Sequence, residues 1–148
     1  MKYNIRQMTI DDINEVIEGE TKAFGTSLGY DMLYSELTLN PYANYFVLEI
    51  NGLVRGYVGV WIEENAEIIN LYVDEKYQGK GFGGMLVDLV IKLCEMCKVK
   101  VLSLEVRKSN ERAQNLYSKF GFIFSHYRYN YYDNGEDAIV MIRNIEVE

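Results

Sequence analysis

The sequence predicts an α/β fold in which helices cover a mixed β-sheet, with its elements in the order ααβββαβαββ. Three observations predict this class. Asn51-Gly52 separates two β-rich runs, which is typical of a hairpin. A glycine-rich segment at 78–84 leads into a long amphipathic stretch, and another pair of β-rich runs closes the chain. We expect residues 1–148 to form one domain, because a single core usually holds roughly 100–200 residues.

Two helices are predicted before the first strand. Thr9 and the two aspartates that follow it are typical of a helix start, and a helix over about 10–23 follows. A second helix, over about 31–39, ends before Pro41, because a residue that precedes proline disfavours the helical conformation.

Three strands and a long helix come next. YFVLEI and VRGYVGVWI are the two strands of the hairpin, and a third strand spans about 66–73. The helix after the glycine segment has apolar residues at three- and four-residue spacing, which predicts one buried face. That face consists of Leu86, Leu89, Val90, Leu93 and Cys97.

The last part of the chain predicts a strand, a helix and a hairpin. VKVLSLEV at 99–106 is typical of a strand that is buried on both faces. Ser109-Asn110 is a suitable cap for a helix that Gly121 ends. FIFSHYRYNYY and DAIVMIRNI, joined through Asp133-Asn134-Gly135, predict the closing hairpin.

Composition and charge limit the function classes. No apolar run reaches the ~18 residues that span a bilayer, and no signal peptide is recognisable, so we expect a cytoplasmic protein without membrane contact. The net charge of −7 argues against a direct nucleic-acid partner. It is compatible with a cationic substrate, although solubility alone explains it equally well.

The cysteines predict no metal site. Cys94 and Cys97 form a CxxC, but they lie inside a helical pattern, and His126 is the only histidine. A zinc site would require a second pair of ligands, so two small helix residues are the better interpretation.

The glycine-rich segment allows several phosphate-binding interpretations. A P-loop is excluded, because no Gly-Lys-Ser/Thr occurs in the chain. Gly79, Gly81 and Gly84 match a dinucleotide fingerprint, with Glu105 where a ribose-binding acid would stand. The context argues against it, since a hairpin precedes the motif and too little chain follows for further βα units.

A third interpretation is Q-x-x-G-x-G at the start of a helix, formed by Gln78, Gly81 and Gly83. Small residues there let main-chain N–H groups converge on a pyrophosphate, and the helix dipole favours the negative charge. Lys80 could add a positive charge nearby. The alternative is a turn that merely connects two elements.

Three longer segments carry a more specific pattern: NLYVDEKYQGKGFG, LEVRKSNERAQNLYSKFGF and RYNYYDNGEDAIVM. With the strand–QGKGFG–helix unit they resemble the GCN5-related N-acetyltransferases (GNAT), in particular the RimI-type ribosomal-protein alanine N-acetyltransferases. The resemblance covers essentially all 148 residues. It implies the GNAT acyl-CoA N-acyltransferase fold. It further implies transfer of an acetyl group from acetyl-CoA, without a metal, to the N-terminal alanine of a small-subunit ribosomal protein.

The resemblance also implies where acetyl-CoA lies. The strand at 70–73 would splay from 102–106, and pantetheine would add to its main chain like a short strand. The N–H groups of 79–84 would take the pyrophosphate, and an N–H near Leu71 would donate to the oxyanion. The implied cofactor-binding residues are Leu71, Tyr72, Val73, Gln78, Gly79, Lys80, Gly81, Phe82, Gly83, Gly84, Asn110 and Tyr117.

Two side chains are candidates for acid–base catalysis. Glu105 lies in an apolar strand, where a carboxylate is costly unless it is used or paired; pairing with Arg107 and exposure to solvent are the alternatives. The resemblance assigns it the role of general base. It likewise assigns Tyr117, which could otherwise be a core residue, the role of protonating the thiolate.

The acceptor side is less well defined. Asn130, Tyr131 and Tyr132 should border the acceptor groove, and Glu136 or Asp137 could neutralise an incoming cation. Many RimI-type sequences carry a Pro-Trp-Ser/Thr segment after the first helix, whereas this chain has GTSLGYD at 25–31.

Two alternatives therefore stay open: acetylation of another peptide, a lysine or a small amine, and a non-catalytic acetyl-CoA sensor. We expect a monomer or a weak dimer.

Overall fold

A computed structural model describes residues 1–145 and contains one seven-stranded sheet in the order β1-β2-β3-β4-β5-β7-β6. The strands are β1 Tyr3–Gln7, β2 Ala43–Ile50, β3 Leu53–Ile62, β4 Ala66–Val73, β5 Val101–Arg107, β6 Ile123–Arg128 and β7 Ala138–Asn144. The helices are α1 Ile13–Phe24, α2 Tyr30–Thr38, α3 Phe82–Met96 and α4 Glu111–Lys119. The predicted mixed sheet covered by helices is confirmed.

One strand was missed by the sequence analysis. β1 precedes the first helix and pairs antiparallel with β2, so the order begins with a strand. Its residues are mostly polar and exposed, and only Ile5 and the ring of Tyr3 contact the core. The apolar alternation from Tyr3 to Arg6 is only about four residues long, the lower limit of the signal for a strand in a sequence.

The first helix begins later than predicted. A short 3-10 turn, Ile10–Asp12, precedes α1, and the Asp12 carboxylate accepts the Thr9 main-chain N–H at 2.8 Å. Asp12 also forms an ion pair with Arg6 of β1 at 2.8 Å. The pKa of the Asp12 carboxyl is lowered, above all by its hydrogen bond to Arg6. These contacts fasten the turn to the edge of the sheet.

The predicted hairpin is confirmed, and Asn51 and Gly52 both have the positive φ of the expected turn. β4 follows antiparallel to β3, with a bulge that leaves Ile69 unpaired between Ile68 and Asn70. A bulge bends its strand away from regular pairing.

β4 and β5 are parallel and pair over a short length only. The pairs run from Ala66–Leu102 to Ile68–Leu104, and the strands then part. The predicted splay of 70–73 from 102–106 is therefore present. The main-chain groups of β4 that face β5 beyond this point have no strand partner, although β4 stays paired with β3.

Helices pack on both faces of the sheet. α3 and α4 cover one apolar cluster, which includes Leu86, Val90 and Tyr117. α1 and α2 cover a second cluster around Val16, Leu33 and three tyrosines of β2, β3 and β4. At the gap between β4 and β5, the sheet no longer separates its two faces.

Two predictions about burial were partly wrong. The buried face of α3 consists of Phe82, Leu86, Val87, Val90, Ile91 and Cys94, whereas Cys97 is exposed. The predicted face included Leu89 and Leu93, which lie beside the buried face. In a helix this apolar, more than one set of residues has the three- and four-residue spacing of a buried face. β5 alternates strictly, with Leu102, Leu104 and Val106 buried and the residues between them half-buried. Glu105 therefore points to the α1–α2 face.

No helix within residues 1–145 is long and apolar enough to cross a lipid bilayer.

Candidate active site

A groove of about 670 Å³ runs from the end of β4 to the start of α4. This volume lies in the range that is typical of pockets for small molecules and cofactors. Nine of the predicted cofactor residues line it: Leu71, Tyr72, Val73, Gln78, Gly79, Gly81, Gly83, Gly84 and Asn110. Lys80, Phe82 and Tyr117 are not part of its wall.

Glycine is required in this loop for two separate reasons. Gly79 and Gly81 have φ of 77° and 90°, which other residues rarely adopt. A Cβ at Gly83 would come within 3.1 Å of Leu116, and one at Gly84 within 3.1 Å of Phe120. The first pair therefore shapes the loop, whereas the second lets α3 approach α4 closely.

The side chains of the loop support its backbone. Gln78 donates from Nε2 to the Val73 main-chain oxygen at 2.9 Å, which ties the loop to the end of β4. Phe82 is buried and packs edge-to-face on Tyr3, with ring centroids 5.3 Å apart. Only the main chain of Phe82 is therefore available to a ligand.

Three cations beside the loop were missed by sequence reasoning. Lys22 of α1 and Arg112 and Lys119 of α4 line the groove. The Arg112 guanidinium lies 3.8 Å from where a Cβ of Gly79 would stand. Lys22 lies 3.9 Å from Asp74, which also lines the groove. Arg112 and Lys119 are therefore the cations that favour an anionic ligand at the helix start. The helical spacing of Arg112 and Lys119, which puts both on one face of α4, was the available signal.

Asn110 has a structural contact at the start of α4. Its Oδ1 accepts the Ala113 main-chain N–H at 3.1 Å, which is the predicted cap. Since Asn110 also lines the groove, this cap places the first turn of α4 beside the loop.

The main chain of β4 reaches the groove at Leu71. Its N–H, the predicted oxyanion donor, donates to Asn70 Oδ1 at 3.0 Å. The Tyr72 side chain points to the other face, where it packs on Tyr57 with ring centroids 5.2 Å apart. The Tyr72 ring also packs edge-to-face on Phe24 of α1, which lines the groove as well, with ring centroids 6.5 Å apart.

Glu105 lies one residue beyond the last β4–β5 pair, at the edge of the gap. Tyr131 donates its hydroxyl to Glu105 Oε1 at 3.1 Å, and Arg128 Nε lies 2.8 Å from Oε2 without the alignment of a hydrogen bond. The alternative partner Arg107 instead forms an ion pair with Glu136 at 3.0 Å. Glu105 is thus held in a polar cluster that remains partly open to solvent.

Tyr117 is buried on the opposite side of β5, against Phe122 at 5.5 Å between ring centroids. Burial, and secondly the nearby Tyr132, raise the pKa of Tyr117 above its ordinary value. Burial, and secondly Glu105, raise the pKa of Tyr132 to about 12. Both tyrosines therefore stay protonated at neutral pH.

The other predicted acceptor residues lie in the loop between β6 and β7. Asp137 accepts the Asn130 main-chain N–H at 2.9 Å. Glu136 accepts the Ser109 main-chain N–H at 2.8 Å, and its hydrogen bonds to Ser109 and then to Arg107 lower the pKa of its carboxyl. Glu136 thus fastens the loop to the start of α4, and of these residues only Tyr131 contacts Glu105.

An acidic residue of β4 was also missed. Glu67 lies on the same face as Glu105, and burial, then the charge of Glu105, raise the pKa of its carboxyl. Its only signal in the sequence was strand alternation, which does not distinguish a half-buried acid from an exposed one. Within residues 1–145, no group of three or more possible metal ligands is found.

Comparisons with known proteins identify the family of this chain. The Acetyltransferase (GNAT) family matches over residues 10–122. The chain is 43% identical over 142 residues to a Bacillus subtilis protein provisionally named ribosomal protein bS18 alanine N-acetyltransferase, with 95% of this chain and 94% of the relative covered. It is 34% identical over 124 residues to the Escherichia coli ribosomal protein bS18 alanine N-acetyltransferase, with 81% and 76% covered.

A crystal structure of the E. coli ribosomal-protein-S18-alanine N-acetyltransferase superposes with a TM-score of 0.89 at 29% identity. It covers 99% of this chain and 96% of that one. The mixed sheet and the match to this family define an acyltransferase. The chain belongs to the GNAT family of acetyl-CoA-dependent N-acetyltransferases. The predicted family and enzyme class are confirmed, and the dinucleotide-binding alternative is excluded.

Proposed function

We propose that this enzyme acetylates the N-terminal α-amine of a protein, and that its acceptor is the N-terminal alanine of a small-subunit ribosomal protein. The observation that carries the proposal is the parting of β4 and β5 just before Leu71 and Glu105. A thioester held along β4 would have a main-chain donor on one side and a carboxylate on the other. The names of the B. subtilis and E. coli relatives support the choice of acceptor.

The coenzyme is proposed to lie in the groove. The N–H groups of 79–84 take its pyrophosphate, with Arg112 and Lys119 adding positive charge. The positive φ of Gly79 and Gly81 supports this fit, because it turns the main chain of the loop into a concave surface. The main chain of Leu71 to Val73 holds the pantetheine arm.

The chemistry needs a base, an oxyanion donor and an acid. Bound acetyl-CoA supplies the acetyl group as a thioester. Glu105 accepts the proton that the amine loses as its nitrogen forms the new bond to the carbonyl carbon. The Leu71 N–H donates to the carbonyl oxygen, and Tyr117 protonates the sulfur as its bond to carbon breaks. Burial keeps Tyr117 neutral, which is the form that can donate.

The pKa of the acceptor favours an α-amine. An α-amino group has a pKa of about 7.7–8.0, whereas that of lysine is about 10.4. At neutral pH, removing the proton from the α-amine therefore costs about 3.4 kcal/mol less. A single carboxylate that remains partly open to solvent is sufficient to meet the smaller free-energy cost of deprotonating an α-amine.

We further propose that residues 1–148 act as one domain in the cytoplasm, as a monomer or weak dimer, without direct contact to nucleic acid. Tyr131 and Tyr132 would border the acceptor. The 25–31 segment, which lacks Pro-Trp-Ser/Thr, would cover its side chains.

The test is acetylation of synthetic peptides followed by mass spectrometry. Peptides with the N-terminal sequences of small-subunit ribosomal proteins are incubated with acetyl-CoA, beside the same peptides with a blocked N-terminus and an internal lysine, and beside polyamines. We expect one acetyl group on the free alanine terminus. Acetylation confined to lysine or polyamines would contradict the acceptor, and coenzyme binding without any turnover would indicate a sensor.

A further inference from the structure

A buried carboxylate that the proposed reaction does not use lies under the gap. Glu20 is on α1 and is 0% exposed. Burial raises the pKa of its carboxyl, while Tyr57, Asn70 and the Leu28 main chain act in the opposite direction. An ionisable group is rarely kept in a core without a partner, so the contacts of Glu20 require an explanation.

The main partner of Glu20 is a side chain of β4. Asn70 donates from Nδ2 to Glu20 Oε2 at 2.6 Å. The other end of the same amide, Oδ1, accepts the Leu71 N–H at 3.0 Å. One asparagine therefore connects a buried carboxylate on α1 to the main-chain donor at the groove.

Asn70 occupies the place where β4 changes course. It is the first residue after the bulge at Ile69, and it lies beyond the last β4–β5 pair. β3 still pairs with β4 here, but on the side facing β5 the main-chain groups lack a neighbouring strand that could accept their hydrogen bonds. A side chain that holds the next N–H can replace that strand.

The packing around Glu20 is adapted to this contact. A Cβ at Gly19 would overlap the Tyr72 hydroxyl, so α1 can lie this close to β4 only with a glycine there. Tyr57 is fully buried beside the carboxylate. The carboxylate is therefore held at β4 rather than turned to solvent.

We propose that Glu20 and Asn70 are positioning residues for acetyl transfer, which direct the Leu71 N–H into the gap between β4 and β5. This inference rests on the proposed function of the same site. An N–H can be shared between two acceptors, so the hydrogen that Asn70 orients remains available to a thioester oxygen arriving from the gap. Glu20 acts on the reaction only through Asn70.

The first test removes the side chain that orients the donor. In Asn70→Ala we expect kcat to fall about tenfold or more, as is found for weakened oxyanion donors, and the KM for acetyl-CoA to change less than about threefold. Asn44→Ala, on β2, is the matched control and should leave both constants unchanged. Thermal unfolding measured in parallel separates a loss of catalysis from a loss of folded protein.

The second test first disrupts the hydrogen bond between Asn70 and Glu20 and then restores it with donor and acceptor exchanged. Asn70→Asp places two carboxyl groups together, and they form the bond only while they share a proton. The raised pKa of this pair means that activity is present at low pH and is lost as the pH rises through it. The double variant Glu20→Gln/Asn70→Asp restores a donor, because the glutamine amide can donate to the aspartate. We expect it to recover activity without that pH dependence.

The other titratable groups around Glu20 do not obscure this result. Tyr45 of β2, Tyr57 of β3 and Tyr72 of β4 all have their pKa values raised by burial. They stay neutral between about pH 6 and pH 9, the range of the assay.

The outcomes decide between the proposals. A folded Asn70→Ala with unchanged kcat, or a double variant no more active than Asn70→Asp, overturns this inference alone. If Asn70→Ala does not fold, the comparison of Asn70→Asp with the double variant decides. If the wild type acetylates another amine, the proposed acceptor fails and the kcat ratios with that amine still test Asn70. A wild type without turnover contradicts both proposals.

Discussion

The proposed coenzyme side and the proposed acceptor side of the gap differ in the groups that form them. On the coenzyme side, glycines and the main chain of β4 form the surface, with three cations at its rim. On the acceptor side, side chains from separate elements contact one another: Glu105, Arg128 and Tyr131. The first side depends on backbone shape, and the second on which side chains are present.

This difference has a physical consequence for specificity. A surface of main-chain N–H groups is altered mainly by substitutions at its glycines. In a cluster of charged side chains, one substitution removes a partner and leaves another charged group unpaired, which is costly. A single substitution can therefore change which ligand such a cluster binds. We therefore expect coenzyme binding to tolerate most substitutions, and the choice of acceptor to be sensitive to them.

The largest effect is expected at the acceptor side. Glu105→Gln keeps the shape but removes the base, so kcat should fall about a hundredfold or more. The affinity for acetyl-CoA, measured by calorimetry, should stay within about twofold of the wild type because the groove is untouched. Glu95→Gln, at an exposed position on α3, is the control. Normal turnover in Glu105→Gln would remove this residue from the mechanism.

A somewhat smaller effect is expected at Tyr117, a buried residue of α4. Tyr117→Phe should lower kcat about tenfold to a hundredfold, since the thiolate must then take its proton from water. Because burial raises the pKa of Tyr117, the wild type should not lose activity through ionisation of this group below about pH 10. Steady-state kinetics across pH measure both. If Tyr117→Phe alters only the melting temperature, the residue is a core residue.

On the coenzyme side, adding a single methyl group at a glycine of the loop should weaken the binding of acetyl-CoA. Gly81→Ala forces an alanine into φ of 90° at the helix start, and we expect the KM for acetyl-CoA to rise about tenfold with little change in kcat. Gly52→Ala is the matched control, since Gly52 also has positive φ and free space around it but lies in a turn. Equal effects of the two variants on KM would mean that the loop has no special role.

The smallest effect is expected for a cation at the rim. Arg112→Ala should raise the KM for acetyl-CoA about threefold to fivefold at low salt, because exposed charges contribute little and are screened. The difference should shrink at about 1 M salt. Arg112→Lys serves as the comparison and should lose less. A salt-independent effect would point to lost packing instead.

Much of the site could be predicted because its signals are local in the sequence. The glycine loop, the Asn110 cap and the strand that carries Glu105 each depend on a few adjacent residues. β1 was missed because its pairing with β2, rather than its own pattern, makes it a strand.

Pairings across the fold could not be predicted in the same way. Glu20 and Asn70 are 50 residues apart, and Arg128 is far in the chain from Glu105. Nothing in the local pattern of α1 indicates that one of its glutamates is buried against a bulge. Such contacts follow from how α1 crosses the sheet, which the sequence does not specify locally.

The contact between Tyr3 and Phe82 has a practical consequence for handling the enzyme. The ring of Tyr3, on the outermost strand, covers the first residue of the helix that starts at the glycine loop. Deleting the first seven residues would therefore uncover a large apolar ring at the proposed coenzyme site, far along the chain from the cut. An affinity tag is better placed after the last strand than before the first.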